Sequence, residues 1–227
     1  MISYKITEIF LSVQGEGMHT GLPMVFVRFA GCNLDCIFCD TDWRDGESMT
    51  EDDIIHEIKA VTDDCYLRVS GKMRSRPQTV CLTGGEPLLS CKPLLARLKE
   101  EGFNVHIETN GTIKLERQYS KHVDWVTVSP KKGSKLAINR YDEIKIVLAK
   151  GQRPWIGPFK GSYPENAICN CWFVQPMNKF SEANRDRVGD EGCDLIDWPN
   201  LRWCVQFVES HSPWRLSVQM HKFLRLK

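Results

Sequence analysis

Residues 24–39 read Met-Val-Phe-Val-Arg-Phe-Ala-Gly-Cys-Asn-Leu-Asp-Cys-Ile-Phe-Cys. Met24 to Phe29 is a short run of strand-forming residues that stops at Gly31 and passes the chain straight to three thiols, Cys32, Cys36 and Cys39. The same arrangement, a strand running into a chemically distinctive turn, recurs downstream. Thr79 to Leu82 ends at Gly84-Gly85, and Phe103, Val105 and Ile107 alternate with Asn104, His106 and Glu108 at the period of a strand. Trp125 to Val128, Glu143 to Leu148, Trp172 to Val174 and Trp203 to Val208 are further strand candidates, while Ile2 to Val13 opens the fold.

Helical signals separate several of these strands. Thr50 reads as an N-cap with Asp53 in the capping-box position, followed by Ile54, Ile55, Ile58 and Val61 at helical spacing. Pro93 starts a second helix in which Leu94, Leu95 and Leu98 share a face, and Gly102 suits its C-terminal turn. Strands separated by helix-length segments predict an α/β protein of βα units. The chain has 227 residues, short of the ~250 typical of eight such units. The expected fold is therefore a partial, incomplete TIM-like barrel of parallel strands, with the thiol-bearing loop after the first strand. No internal repeat or low-complexity linker interrupts it, so residues 1–227 are expected to form a single domain. Arg68 to Pro77 and Lys150 to Asn170 are long connections, read as surface loops or a lid.

Ligands collect at the C-terminal ends of strands in such sheets. Five turns qualify: Cys32 to Cys39, Gly84 to Pro87, Thr109 to Gly111, Ser129 to Lys131 and Gln175 to Met177. They predict one site lined by successive turns.

Composition narrows what that site meets. The formal net charge is +1, so no bulk field argues for nucleic acid or a membrane surface. No secretory apolar segment follows Met1, and no apolar run approaches the ~20 residues that span a bilayer; the cytosol is the expected compartment. Ten cysteines without a secretory signal favour metal or redox chemistry over disulfides. Cys65, Cys81, Cys91, Cys169, Cys171, Cys193 and Cys204 are scattered and read mostly as buried, inert thiols. Cys169-Asn-Cys171 is the one further pair that could touch a metal, although two ligands do not complete a site.

Soft thiolates suit zinc and iron–sulfur clusters alike. A closed zinc site needs a fourth ligand, for which Asp40, His19 or a distant cysteine could serve. With three cysteines alone, a cubane cluster keeps one iron open, and S-adenosylmethionine can occupy it through its amino and carboxylate groups.

The C-x-x-x-C-x-x-C spacing, with Phe38 before the third cysteine and Gly84-Gly85-Glu86-Pro87 at a later strand end, resembles the radical S-adenosylmethionine superfamily. The ordered set Gln14-Gly15-Glu16-Gly17, Arg28, Cys39-Asp40-Thr41, Glu108-Thr109-Asn110-Gly111, Ser129-Pro130-Lys131, Gln175-Pro176-Met177 and Ser217 to Lys222 is similar to the 7-carboxy-7-deazaguanine synthases. That resemblance runs from about Ile6 to Leu224 and is weakest from Lys150 to Cys171. It implies a [4Fe–4S] cluster on Cys32, Cys36 and Cys39, S-adenosylmethionine cleaved to a 5′-deoxyadenosyl radical, and Mg²⁺ assistance. It further implies ring contraction of 6-carboxy-5,6,7,8-tetrahydropterin to 7-carboxy-7-deazaguanine with loss of ammonia, a step towards queuosine and other deazapurines. A homodimer and a flavodoxin-like electron donor are the partners it implies.

Residue roles follow from the same resemblance. Arg28, whose planar fork offers two hydrogen bonds, pairs with the substrate carboxylate. Thr41 supplies a hard oxygen to Mg²⁺. Val13, Gln14, Gly15, Glu16 and Thr83 contact the pterin, Glu16 as acceptor from its amino-pyrimidine edge. Phe38, Asp40, Gly85, Glu86, Glu108, Asn110, Ser129, Pro130, Lys131, Gln175, Pro176, Met177 and Asn178 surround S-adenosylmethionine. The family's Gly-hydrophobic-Pro tail reaches the substrate; here Arg225-Leu226-Lys227 stands in its place, with Lys227 in the corresponding contact. His106 and His221 are expected to be hydrogen-bonded structural histidines. Two rivals remain: a glycyl-radical-enzyme activating protein, which shares the cluster but gives no reason for Gln14 to Glu16, Arg28 and Thr41, and a non-enzymatic zinc-binding interaction protein.

Overall fold

Eleven residues with an alternating start, Ser3 and Lys5 exposed against Tyr4 and Ile6 buried, form β1 (Ser3–Val13). The structure is a computed structural model that describes residues 2–68, 76–158, 171–179 and 195–226. β1 runs antiparallel to β2 (Pro23–Phe29) on one side and to the short edge strand β3 (Glu47–Thr50) on the other. From β2 onward the sheet is parallel: β4 (Thr79–Gly84), β5 (Asn104–Thr109), β6 (Trp125–Val128), β7 (Glu143–Leu148), β8 (Cys171–Pro176) and β9 (Arg215–Leu216) follow in order. The spatial order β3-β1-β2-β4-β5-β6-β7-β8-β9 leaves β3 and β9 as edges, so the sheet is open, as the incomplete barrel expected from chain length requires.

The thiol loop follows β2, the first strand of the parallel run, as expected, with β1 preceding it as an antiparallel partner. One element differs from expectation. Trp203 to Val208 is helical, lying within α4 (Trp198–Ser210). Its β-branched and aromatic residues read locally as a strand, but Cys204 and Phe207 fall at i and i+3 and are buried together. Asp197 caps the helix by accepting the Asn200 N–H at 2.9 Å.

The expected helix ends hold. In α1 (Glu51–Arg68), Thr50 Oγ1 accepts the Asp53 N–H at 3.2 Å while the Asp53 carboxylate accepts the Thr50 N–H at 2.8 Å, a reciprocal capping box. α2 (Leu94–Glu100) ends in a Schellman motif: Gly102, at φ +84°, donates to Lys99 O, and Phe103 donates to Leu98 O. The connections after β5 and β6 are nearly helix-free, carrying only the four-residue α3 (Arg117–Ser120). α5 (Met220–Leu224) closes the described chain. Among the described residues no helix is long and apolar enough to cross a membrane. Most of the two long connections, 69–75 and 159–170, lies outside the described residues.

Strand alternation sorts the two faces. Val25, Val27, Phe29, Val80, Leu82, Val105, Ile107, Val126, Val128, Ile144, Ile146 and Val174 pack with Ile54, Ile58, Leu94, Leu98 and Phe207 in the main core. The intervening residues on β2, β4, β5, β6, β7 and β8 point to the concave face, where Phe10, Met24, Phe26 and Cys81 form a small apolar cluster. The rest of that face is polar. His106 and Glu108 therefore do not alternate out to water as on a solvated sheet; His106 is buried and Glu108 lines the cavity.

Candidate active site

The concave face and the turns at its rim enclose a cavity of about 880 Å³. Cys32, Cys36 and Cys39 stand at the rim, reduced and partly exposed. Their loop is held by backbone bonds between neighbouring strand exits: the Gly85 N–H donates to Phe29 O and the Glu86 N–H to Gly31 O, both at 2.9 Å. The glycines permit this approach. A Cβ on Gly85 would stand 2.0 Å from Gly31 O, and Gly84, at φ +115°, would meet the Phe29 backbone at 2.3 Å.

The donor set fits a site-differentiated cluster. Burial pushes the Cys32 and Cys36 thiols up, the neighbouring thiols add to it, and the Lys131 ammonium opposes it at Cys36. Lys131 Nζ lies 6.0 Å from the Phe38 ring centroid. The Leu34 N–H points at Cys32 Sγ, 3.4 Å away. Among the described residues no three His, Cys, Asp or Glu side chains gather closely enough to hold a single metal ion. Thiolates bound to separate irons of a cubane stand further apart than the ligands of one zinc ion. Cys81, Cys91, Cys171 and Cys204 are buried away from the rim, as expected of inert thiols. Cys169, Cys193 and the side chain of Cys65 lie outside what is described.

Below the rim the floor is built from three directions. The turn after β1 enters from the N-terminal ends of the parallel strands, and its Gln14 Nε2 donates to Glu108 Oε1 at 3.1 Å. Thr83 Oγ1 donates to Glu108 Oε2, also at 3.1 Å. Glu16 accepts from Lys145 Nζ and from Gln175 Nε2, and Ser217 Oγ donates to Gln175 Oε1 at 3.0 Å. Burial alone would raise the Glu16 carboxyl, but the Lys145 charge and its hydrogen bond outweigh it and hold it below the usual range. Lys145 is raised in turn: burial works against its charge, and the Glu16, Glu108 and Glu143 carboxylates prevail. Burial pushes Glu143, which accepts the Met18 N–H at 2.8 Å, up to about 7.

Arg28 faces the cavity from β2, its Nε paired with Glu8 Oε1 at 2.7 Å and its guanidinium 5.3 Å from the Phe10 ring centroid. The last segment straps the site. Lys222 Nζ bonds the Asp40 carboxylate and Gln219 Oε1, Gln219 Nε2 donates to Asp40, and Asn178 Nδ2 donates to Gln219 Oε1. Asp40 is thereby held well below the carboxylate range, Lys222 overcoming the effect of burial.

Most residues singled out from sequence meet here: Val13, Gln14, Gly15, Glu16, Arg28, Phe38, Asp40, Thr41, Thr83, Gly85, Glu108, Asn110, Ser129, Lys131, Gln175, Pro176, Met177 and Asn178 all line the cavity with the three cysteines. Glu86 and Pro130 do not. Glu86 is 1% exposed and its carboxylate is spent on Thr109 Oγ1, the Asn110 N–H and the Leu88 N–H, bracing two adjacent turns. Pro130 is buried behind the lining residues Ser129 and Lys131. Asn110 reaches the cavity, but its side chain also donates to Asn33 Oδ1, tying β5 to the cysteine loop. Lys227 lies outside the described residues. Reading the sequence missed Lys145, and it quoted Gln219 and Lys222 within the Ser217 to Lys222 motif without giving either a site role. The available signal for Lys145 was a lysine between Ile144 and Ile146 in an otherwise apolar strand, in phase with Glu143.

Comparison with known proteins agrees with this geometry. The radical SAM superfamily model matches residues 26–148. A 7-carboxy-7-deazaguanine synthase of Bacteroides thetaiotaomicron is 42% identical over 224 residues, covering 98% of each chain. Its counterpart in Nitratidesulfovibrio vulgaris is 37% identical, covering 98% of this chain and 99% of its own length. The crystal structure of QueE from Escherichia coli shares the fold, with a TM-score of 0.61 at 23% identity over 97% of this chain and 96% of that one. Likeness that extends through both the cysteine loop and the cavity floor, across nearly the whole length, leads to one conclusion: this chain belongs to the 7-carboxy-7-deazaguanine synthase family of radical S-adenosylmethionine proteins.

Proposed function

We infer that this protein is a 7-carboxy-7-deazaguanine synthase, converting 6-carboxy-5,6,7,8-tetrahydropterin to 7-carboxy-7-deazaguanine with loss of ammonia. The observation that carries the reading is a single cavity with a thiol triad at its rim and cation- and carboxylate-bearing walls below, suited to a small carboxylated pterin. Cys32, Cys36 and Cys39 are the residues to hold a [4Fe–4S] cluster, leaving one iron for S-adenosylmethionine. When bound, that cluster supplies the electron that opens the sulfonium and so the radical chemistry.

The chain's own groups do the recognition. Arg28 meets the substrate carboxylate, while Glu16 accepts N–H donors from the amino-pyrimidine edge, with Val13, Gln14, Gly15 and Thr83 around it; Glu108, expected beside S-adenosylmethionine, is bonded to Gln14 and Thr83 and is read instead as a second acceptor on the pterin side. Phe38, Asp40, Gly85, Ser129, Lys131 and Gln175 to Asn178 form the S-adenosylmethionine side of the cavity. Glu86 and Pro130 support that side from behind. Mg²⁺ belongs to the reading through Thr41. A protein that offers few hard ligands suits an ion that keeps several waters and takes substrate oxygens.

The homodimer and the flavodoxin-like electron donor rest on family resemblance. Ile37, 97% exposed between Cys36 and Phe38, offers an apolar contact where a reductant would approach the rim. The 227 residues are read as one domain, supported by the single sheet that runs from β3 to β9.

The test is anaerobic reconstitution followed by turnover. Brown protein with absorbance near ~400 nm, as an iron–sulfur centre gives, should form deazaguanine from the pterin, S-adenosylmethionine and Mg²⁺. Cofactor cleavage without deazaguanine would defeat the substrate assignment while leaving the superfamily chemistry intact.

A further inference from the structure

Lys145 is a charged group on the cavity floor to which the family-based roles assign nothing. It stands in the middle of β7 with its side chain 6% exposed, bonded to Glu16 and 3.9 Å from Glu108 Oε1. Glu143, two residues earlier on the same strand face, adds a third carboxylate, itself buried. Glu16 also accepts from Gln175, and Glu108 from Gln14 and Thr83. A carboxylate has about four lone-pair positions, so both retain acceptor capacity towards the cavity. The other charged groups near this floor are engaged elsewhere. Lys131 donates to Ser129, Arg28 pairs with Glu8, Asp40 pairs with Lys222, and burial disfavours the cationic form of His221.

We propose that Lys145 is the positioning residue of the substrate floor: its ammonium holds the Glu16 and Glu108 carboxylates in place as acceptors, so that the site selects a ring edge carrying adjacent N–H donors, as a fused amino-pyrimidine does. The proposal rests on the pterin reading above. Without the ammonium, Glu16, Glu108 and Glu143 share one low-dielectric floor with no cation of their own. Burial then favours the protonated form of Glu16, which becomes a donor and faces the ligand's N–H groups.

Steady-state kinetics of reconstituted holoenzyme between about pH 6 and 9 test this with Lys145→Met, Glu16→Gln and the double variant. Lys145→Gln, which keeps a donor without the charge, serves if Lys145→Met does not accumulate. Removing the charge should raise the pterin KM roughly thirty-fold with kcat changed less than about three-fold. That KM should fall as pH rises, whereas the wild-type KM stays flat. Because Lys145 acts through Glu16, the double variant should be no worse than the poorer single one. The proposal is overturned if the single effects multiply. It is equally lost if the KM values for pterin and S-adenosylmethionine rise together with a lower melting temperature, the mark of a merely structural lysine. Wild-type holoenzyme that cleaves S-adenosylmethionine yet leaves the pterin untouched overturns the substrate reading, and this inference with it, before any variant is compared.

Discussion

Gly15 lies directly against His221: a Cβ on Gly15 would stand 2.3 Å from His221 Nδ1 and 3.0 Å from its backbone nitrogen. The Met220 N–H also donates to Gly15 O at 2.9 Å, so the turn after β1 and the start of α5 are sutured across the floor of the cavity. Gly15, expected to contact the pterin, is thus required first by the protein's own C-terminal segment.

Gly15→Ala should therefore displace α5, and with it the Lys222–Asp40 contact above. Pterin conversion should fall at least about ten-fold, while iron–sulfur absorbance after reconstitution is retained. Wild-type turnover in that variant would show that α5 shifts without consequence.

Arg28→Ala removes the guanidinium paired with Glu8 and facing the cavity. Loss of a bidentate carboxylate partner should raise the pterin KM roughly ten- to hundred-fold, and Arg28→Lys should restore little because an ammonium lacks the planar fork. Iron content measured alongside distinguishes the roles; a variant without its cluster contradicts this one.

Glu86→Ala leaves three donors without their acceptor: Thr109 Oγ1, the Asn110 N–H and the Leu88 N–H. Burial of unsatisfied polar groups should lower unfolding free energy by about 2–4 kcal/mol, read from urea denaturation of the cluster-free protein. A variant as stable as wild type would mean that Glu86 serves the ligand and not the fold.

Burial raises the Glu143 carboxyl from an ordinary 4.5 to about 7. Its folded value exceeds the unfolded one, so the folded state holds the extra proton between them and stability falls as pH rises through that window. The upper bound is about 3 kcal/mol. Glu143→Gln should flatten that part of the stability–pH curve, and chemical denaturation at about pH 5 and 8 checks it. An unchanged slope would assign the pH dependence to other groups.

Much of the fold was legible because its signals are local. Thr50 and Asp53 form their capping box within one helical turn, and Gly102 ends α2 as its position after the leucine face implies. Trp203 to Val208 misled for the same reason. Its residues favour a strand one by one, and only packing of Cys204 and Phe207 against the outer sheet face selects the helix. The direction of β1 was likewise hidden, since alternation marks a strand but carries no record of which way its neighbour runs.

At the site the division is sharper. Proximity of the three thiols is written locally, because Cys32, Cys36 and Cys39 are held together by seven peptide bonds' reach, whatever the rest of the chain does. Only the tertiary structure decided that Lys145 meets Glu16 across 129 positions and that Lys222 meets Asp40 across 182. Contacts of that range exist once the parallel strands lie side by side and their alternation turns one face inward. There a lysine in an apolar strand becomes the counter-ion of a substrate floor, and burial makes that charge count for more than it would in water.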